Sequence, residues 1–425
     1  MKDINGLPMN PRTPASPDFI DTKTGGIKMK KILSTVLALA MVVSLGACGS
    51  SGGGSSSGSG SGSGDTIKIG YFTDMSSADG YIGMAGRYAI EDRIEELNAQ
   101  GGLLGKQLEL VAYDNAGKNE EVVNIVNRLC YSDKVNVILG PTSSAHAIAA
   151  APVVNEAGIP MISLSATNQA VTVDDNGNVQ PYVFRVCFID PYQGTALADF
   201  AYNDLGAPVV GSLAPLEDSY AQGLSSYFAE QYESLGGEIA KQLGYRVGEV
   251  EFRAQLTDLA NAGVEVVFVP CTAYKDAAFM VQQASDLGLD FTWLFGDAVY
   301  SNELLENVGD LLDGKCYLSN GVNDMGGQYD EYYASFNKKH TDQSANIYAL
   351  YGMDAMMAAE YAITAGNSAD PASIRDQLEN MKDAPLFTFT MTMEPETHNP
   401  HNKPVSILTI QDGEYQFYKE YTPEG

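Results

Sequence analysis

The sequence predicts an α/β protein of two lobes, each built on a doubly wound parallel sheet. Short apolar strands alternate with amphipathic helical stretches from Asp65 onward. The strands are continuous apolar runs, as strands buried on both faces are. The pattern then restarts near Val209 with a second series of four strands, which predicts a second, similar lobe. A length of 425 residues suffices for two or more domains, and 44% hydrophobic with 19% charged residues suits a globular chain with a sizeable core.

Lys28, Lys30 and Lys31 flank Met29, and an apolar run from Ile32 to Val43 leads into Leu45-Gly46-Ala47-Cys48. A basic head, an apolar run and small residues before a cleavage point are the parts of an export signal. The run has about a dozen residues, whereas a spanning helix needs about 20, so it is expected to be removed. Leu45–Cys48 resembles the lipobox of bacterial lipoproteins, which implies that Cys48 becomes diacylated and starts the mature chain. Residues 1–28 look like an extension upstream of the true start at Met29. Gly49–Gly64 contains only Gly and Ser, a composition that tethers and does not pack, with a reach of about 20–25 Å. No Gly-Lys-Ser/Thr closes it into a phosphate loop.

In the first series, strands are expected near Ile67–Phe72, Leu108–Tyr113, Val135–Leu139 and Pro160–Ser163. Between them, Ile82–Asn98 carries Ile82, Ala85, Ala89, Ile94 and Leu97 at helical spacing, and Glu120–Tyr131 and Ala145–Ala157 read as further helices. In the second series, strands near Val209–Leu213, Glu238–Leu243, Val264–Val269 and Thr292–Phe295 alternate with helices near Tyr220–Leu235, Phe252–Ala262 and Asp276–Leu287. Helices over Tyr329–Lys339, Ala349–Ala365 and Pro371–Met381 follow. Strands at Phe387–Met393 and Val405–Ile410 come next, with Asp412-Gly413 as a hairpin turn before Tyr415–Tyr418. Met353, Met356 and Met357 have helical spacing and are expected in the core, as is Trp293.

The net charge is −29, from 54 acidic and 25 basic residues. Such a surface repels nucleic acid and anionic lipid, so no nucleic-acid partner is expected, and the acidity mostly serves solubility. Cys130, Cys187, Cys271 and Cys316 lie far apart without a Cys-x-x-Cys pair. They support neither a zinc site nor a redox motif and are expected to be buried thiols. No metal or other cofactor is called for.

In doubly wound sheets, ligands bind beyond the carboxyl ends of the strands. The stretches there are Thr73–Gly80, Gly140-Pro141-Thr142-Ser143-Ser144 and Leu164-Ser165-Ala166-Thr167-Asn168. Small hydroxyl residues at helix starts cap the helix and leave free N–H groups that bind a carboxylate. Any one such loop is more often only a cap, but three on one sheet edge point to a carboxylate site. In the second half the corresponding stretches are Asp190–Gly194, Glu217–Tyr220, Cys271–Tyr274 and Gly296–Tyr300, rich in Tyr and carboxylates. An amino acid fits this division: donors for its carboxylate on one lobe, an acid such as Asp297 for its ammonium, and aromatic walls.

Ile67–Thr73, Gly140–Ser144, Ile159–Asn168, Asp190–Gly194, Glu396–Pro400 and Ile407–Gly413 together resemble the leucine/isoleucine/valine-binding protein family of ABC transporters. The resemblance runs from Ile67 to the C-terminus. It implies a type I periplasmic-binding fold with a three-strand hinge, with Asp65–Val186 and Ser319–Pro385 in lobe one and Cys187–Leu318 and Leu386–Gly425 in lobe two. It implies ligand-binding roles for Ser144, Ser165, Ala166 and Thr167 on lobe one and for Tyr192, Tyr274 and Asp297 on lobe two. The partners it implies are a small amino acid or analogue and a membrane permease of an ABC importer. With the lipobox, it implies an extracytoplasmic protein anchored to the cell membrane. The loop Met75–Gly80 is not the aliphatic version of the family, so a branched-chain preference does not follow.

A sensor subunit of the same fold, signalling to a receptor, is the second reading. An enzyme is disfavoured: no strand–Gly-x-Ser-x-Gly–helix elbow with a positioned His is present, and the chain holds 4 histidines. His146 reads as a first-turn surface residue, and His398 with His401 as surface residues of a turn and not as metal ligands.

Overall fold

The computed structural model describes residues 66–422 apart from positions 78 and 175. The expected signal, the lipidation site Cys48 and the Gly/Ser tether lie outside the described residues.

The first sheet is formed by β1 (Ile67–Thr73), β2 (Leu108–Asp114), β3 (Val137–Leu139), β4 (Met161–Ser163) and β5 (Val183–Arg185) in the order β2-β1-β3-β4-β5. Every pair in it is parallel. The crossovers carry α1 (Gly80–Ala99), α2 (Asn119–Asn127) and α3 (Ser144–Ala157). Burial on both faces explains the continuous apolar strands: Ile69, Tyr71 and Phe72 of β1 are all inaccessible.

The chain then crosses to the second lobe. Its elements are α4 (Asp190–Asp199), β6 (Val209–Pro215), α5 (Ser219–Ser234), β7 (Glu238–Tyr245), α6 (Arg253–Asn261), β8 (Val266–Val269), α7 (Tyr274–Asp286), β9 (Thr292–Phe295), α8 (Asn302–Leu312) and β10 (Cys316–Asn320). It returns to the first lobe for α9 (Asp330–Lys339), α10 (Ile347–Ala365) and α11 (Pro371–Glu379). Two small ladders follow, β11 (Ala384–Pro385) with β12 (Thr390–Met391) and β13 (Met393–Glu394) with β14 (Asn399–Pro400). A third crossing leads to β15 (Val405–Gln411) and β16 (Glu414–Tyr421), which complete a sheet ordered β16-β15-β10-β9-β8-β6-β7. The β15–β16 turn is Asp412-Gly413, both at positive φ, as a two-residue hairpin demands.

Helix α10 is apolar nearly all round because it is buried nearly all round, between α1 and the first sheet. Its approach to α1 depends on two glycines: a Cβ on Gly352 would sit 2.6 Å from the Gly86 carbonyl oxygen and 2.9 Å from its Cα. The core holds the expected Trp293, Met353 and Met356, with Met357 packed against it. All four described cysteines are buried free thiols.

Two expected boundaries shift. Ser319 and Asn320 do not open lobe one; they finish β10 and pair with Ile407 and Ser406. The stretch 386–404 does not belong to lobe two. It stays on lobe one: Thr388 N donates to Asp354 Oδ1 at 2.8 Å, and the Thr172 hydroxyl donates to Asn399 Oδ1 at 3.0 Å. His398 is fully buried, stacked on Phe184 at 4.2 Å, with Nδ1 3.0 Å from the Val183 carbonyl. It is therefore no surface turn residue. These ties are long-range polar contacts that leave no local pattern. The single strand expected at Phe387–Met393 is accordingly the two short ladders.

Six elements lacked an expectation: β5, β10, β11, β14, α4 and α8. Asp190–Gly194 reads as a loop because of its Pro and Gly. It is the first turn of α4, with Pro191 where a proline costs no hydrogen bond.

Candidate ligand-binding site

The carboxyl ends of β1, β3 and β4 in one lobe and of β6, β8 and β9 in the other face a common cavity of 480 Å³. The lobes touch across it. Asn168 Nδ2 donates to the Ser219 carbonyl at 2.6 Å, and the rings of Tyr81 and Tyr274 meet edge to face at 6.1 Å.

On lobe one, the N-terminus of α3 opens onto the cavity through Ser143, Ser144, Ala145 and His146. The first-turn N–H groups of a helix have no intrahelical acceptor, and the cap residue Ser143 makes no side-chain bond to them. The helix therefore presents polarised donors to the cavity, suited to a carboxylate. Ser144 Oγ, also at the wall, accepts from Asn168 N at 3.2 Å. Ser165 lines the same wall, with its hydroxyl on the Thr142 carbonyl at 3.2 Å.

The neighbouring positions behave differently. Ala166 is fully buried; its N–H goes to Ser163 Oγ at 3.1 Å and its carbonyl to Arg185 Nη1 at 2.7 Å. Both backbone groups are thus already used, which corrects its expected role at the ligand. Thr167 is also fully buried and absent from the wall. Its hydroxyl faces Asp190, yet neither the hydroxyl nor the Asp190 carboxylate oxygens have a protein partner at hydrogen-bond geometry. Burial drives the Asp190 carboxyl well above its ordinary range, although the nearby Thr167 hydroxyl opposes the shift. Arg185, inaccessible to solvent, clamps this segment by its bonds to the Ala166 and Asn168 carbonyls, the latter at 2.9 Å, and to the Thr172 hydroxyl at 2.8 Å.

On lobe two, Asp297 follows β9 and stands at the wall, 4% exposed. Its Oδ1 accepts from Gln193 Nε2 at 2.9 Å and from the Tyr220 hydroxyl at 2.8 Å. Burial pushes its carboxyl up to about 6, and the hydrogen bonds from Tyr220 and Gln193 hold it from going higher. It is ionised at neutral pH and set for a cation. Gly296 makes room for this arrangement, since a Cβ there would overlap the Tyr220 hydroxyl.

The two expected aromatic walls lie elsewhere. Tyr192 lines a separate outer pocket with Val405 and Tyr421, because the helical turn at Asp190–Gly194 points it away from the cleft. Tyr274 spends its ring on Tyr81 and is absent from the cavity wall. The aromatic walls are Tyr220 and Tyr348 instead. His146 is not a surface residue. It is 6% exposed at the cavity wall, bonded to Asn115 Nδ2 at 3.1 Å, and burial depresses its pKa so that it is neutral. Sequence reasoning had a signal for it in its place two residues into α3. None existed for Tyr348, which arrives on the distant α10. Among the described residues, no group of His, Cys, Asp and Glu is arranged to hold a metal ion.

A model of the periplasmic binding protein family matches residues 66–414. The chain belongs to that family. An amino acid binding protein of Pseudomonas aeruginosa is 32% identical over 215 residues, 51% of this chain and 56% of that protein. A Leu/Ile/Val-binding protein homolog of Brucella abortus is 27% identical over 353 residues, covering 81% of this chain and 87% of its own. Among solved structures, a leucine-binding protein of Thermotoga maritima superposes with TM-score 0.76 at 27% identity, over 84% of this chain and 99% of that one. A branched-chain amino acid transporter substrate-binding protein of Streptococcus pneumoniae, solved with isoleucine, gives 0.75 at 26%, over 84% and 100%. The expected type I periplasmic-binding fold is thereby shown, and the relatives are binding proteins. This periplasmic binding protein thus belongs among extracytoplasmic solute binders. No helix among its described residues is long and apolar enough to cross a membrane.

Proposed function

We propose that this binding protein captures an amino acid or similar small zwitterion in the inter-lobe cavity and delivers it to the membrane permease of an ABC importer. The supporting observation is the division of charge across the cavity. The amide end of α3 and Ser144 and Ser165 lie on one lobe, and the ionised Asp297 on the other. The ligand carboxylate takes the helix end and its ammonium takes Asp297. Neither lobe binds both ends, so ligand joins the lobes and favours their closure. Each charge-assisted bond contributes about 1.5–3 kcal/mol, so a few suffice for a micromolar complex, which needs about 8 kcal/mol. In this reading Cys48 carries the lipid anchor that keeps the protein beside its permease, with Gly49–Gly64 as the tether.

Titration calorimetry with a panel of amino acids and amides tests the proposal. At least one is expected to bind, and Asp297→Asn is expected to weaken that ligand by about 2–5 kcal/mol at pH 7.5. Binding undiminished in Asp297→Asn removes Asp297 from the site.

A further inference from the structure

We propose that the ligand is an amino acid with a basic side chain, an α-amino acid bearing a second ammonium or a guanidinium on a methylene stem, and that Asp79 receives that second cation. The inference rests on the reading of the cavity as an amino acid site and names its ligand class.

The cavity wall carries five carboxylates, Asp74, Asp79, Glu217, Asp218 and Asp297, and among the described residues no Lys or Arg lines it. Its histidine, His146, is neutral. A neutral zwitterion brings one ammonium and one carboxylate, and the end of α3 with Asp297 accounts for both. Such a ligand leaves Asp79, a half-buried acid with one buried carboxylate oxygen, without a cationic partner, and an uncompensated charge there is costly.

Three of the five acids are already engaged, and a fourth, Glu217, is exposed to solvent. Asp74 accepts the N–H groups of Ser76 and Ser77 at 3.2 and 3.0 Å, which shapes its own loop. Asp218 caps α5 through Ala221 N at 2.9 Å and takes the Thr272 hydroxyl at 2.9 Å. Asp297 holds Tyr220 and Gln193. Asp79 is different. It stands at the cap position of α1, where an aspartate ordinarily bonds the first-turn amides, yet it makes no such bond. Its Oδ1 is buried without a protein partner. Burial, with Asp74 adding to it, lifts its carboxyl to about 6, so it is ionised at neutral pH although desolvated. Lys275 on α7 is near enough to temper this but forms no ion pair with it among the described residues. An organic cation from the ligand supplies what Asp79 lacks. Ile82, Val247 and Ala298 in the same wall offer apolar surface to a methylene stem. The acids are not arranged as a metal cage.

Calorimetry on the purified protein with lysine, ornithine and arginine against norleucine, leucine and glutamine tests this. Norleucine keeps the stem of lysine and lacks its ammonium. One basic amino acid is expected to bind about 10- to 100-fold tighter than norleucine, the range set by one charge-assisted contact. Asp79→Asn is expected to abolish that preference and to raise the melting temperature of the ligand-free protein at pH 7.5, as removal of a partly buried charge does, and Asp79→Glu to keep much of the preference. Norleucine or leucine binding as tightly as the basic ligands overturns the inference and leaves the amino acid site standing. Failure of every amino acid, basic and neutral, overturns both. An Asp79→Asn protein that loses neutral and basic ligands alike also sinks the role given to Asp79.

Discussion

At the level of single residues, the site is governed by a few desolvated carboxyl groups. Asp297 shows how a binding group acquires a thermodynamic cost. Its carboxyl titrates near 6 in the folded protein, above the value of about 3.9 in an unfolded chain. The folded state therefore binds the extra proton between those values, and the stability of the free protein falls as pH rises from about 4 to about 6. Above pH 6 the full cost is present. Asp297→Asn keeps an oxygen that Tyr220 and Gln193 can donate to, and it removes the charge. The ligand-free variant is expected to be more stable than wild type at pH 7.5 by on the order of 1–3 kcal/mol, with the difference shrinking toward pH 4. Urea unfolding at the two pH values measures it. An equal difference at both would show that charge is not the cause. The same variant loses ligand affinity, so Asp297 is a residue whose function opposes its stability.

Helix contacts set the next scale. The α1–α10 crossing carries glycine against glycine, Gly86 beneath Gly352. On propensity alone, Gly352→Ala should gain about 1 kcal/mol within a helix. Packing decides otherwise, because the new Cβ would press on backbone atoms that cannot rotate away. Overpacking of this kind costs about 1–3 kcal/mol, so the variant is expected to be destabilised overall. A rise in melting temperature would mean that α10 shifts freely. Since α10 also delivers Tyr348 to the cavity, a displaced α10 should weaken ligand binding as well. The helices themselves were legible from their spacing: α1, α3, α5 and α7 begin within two residues of where the apolar pattern places them. Helix α4 was not, because a first turn made of Asp, Pro, Tyr, Gln and Gly has the composition of a loop. That one misreading displaced Tyr192 from the cleft to an outer pocket.

Across the whole molecule, the decisive feature is the set of crossings between the lobes. Lys403 lies in the third, just before β15, with its side chain 2% exposed. Its Nζ sits 3.5 Å from the centre of the Phe389 ring and 5.6 Å from that of Tyr351, without a hydrogen-bond partner among the described residues. Burial pulls its pKa down to about 8, with Asp354 opposing. Below pH 8 the buried cation is a cost, and the cost is relieved as pH rises from about 8 toward the unfolded value of about 10.4. Lys403→Met is expected to stabilise the free protein at pH 7 by on the order of 1–3 kcal/mol, with a smaller gain near pH 10. Thermal unfolding across that range reads the effect, and a variant less stable at pH 7 would show that the ring contacts outweigh desolvation.

Local pattern determined the two α/β series, most strand and helix positions, the buried thiols and the strand-end loops where Ser144, Ser165 and Asp297 stand. Those depend on neighbours in the chain: burial periodicity, capping chemistry and the carboxyl ends of strands. Only the tertiary structure decided which of those loop residues share a cavity. Thr167 and Ala166 follow Ser165 directly, yet they turn inward to Asp190 and Arg185, while Tyr348, His146 and Asp79 reach the wall. Side-chain direction at a strand end is set by partners about 20 residues along the chain, and Tyr348 arrives on a helix more than a hundred residues from the other wall residues of lobe one; no local spacing encodes either.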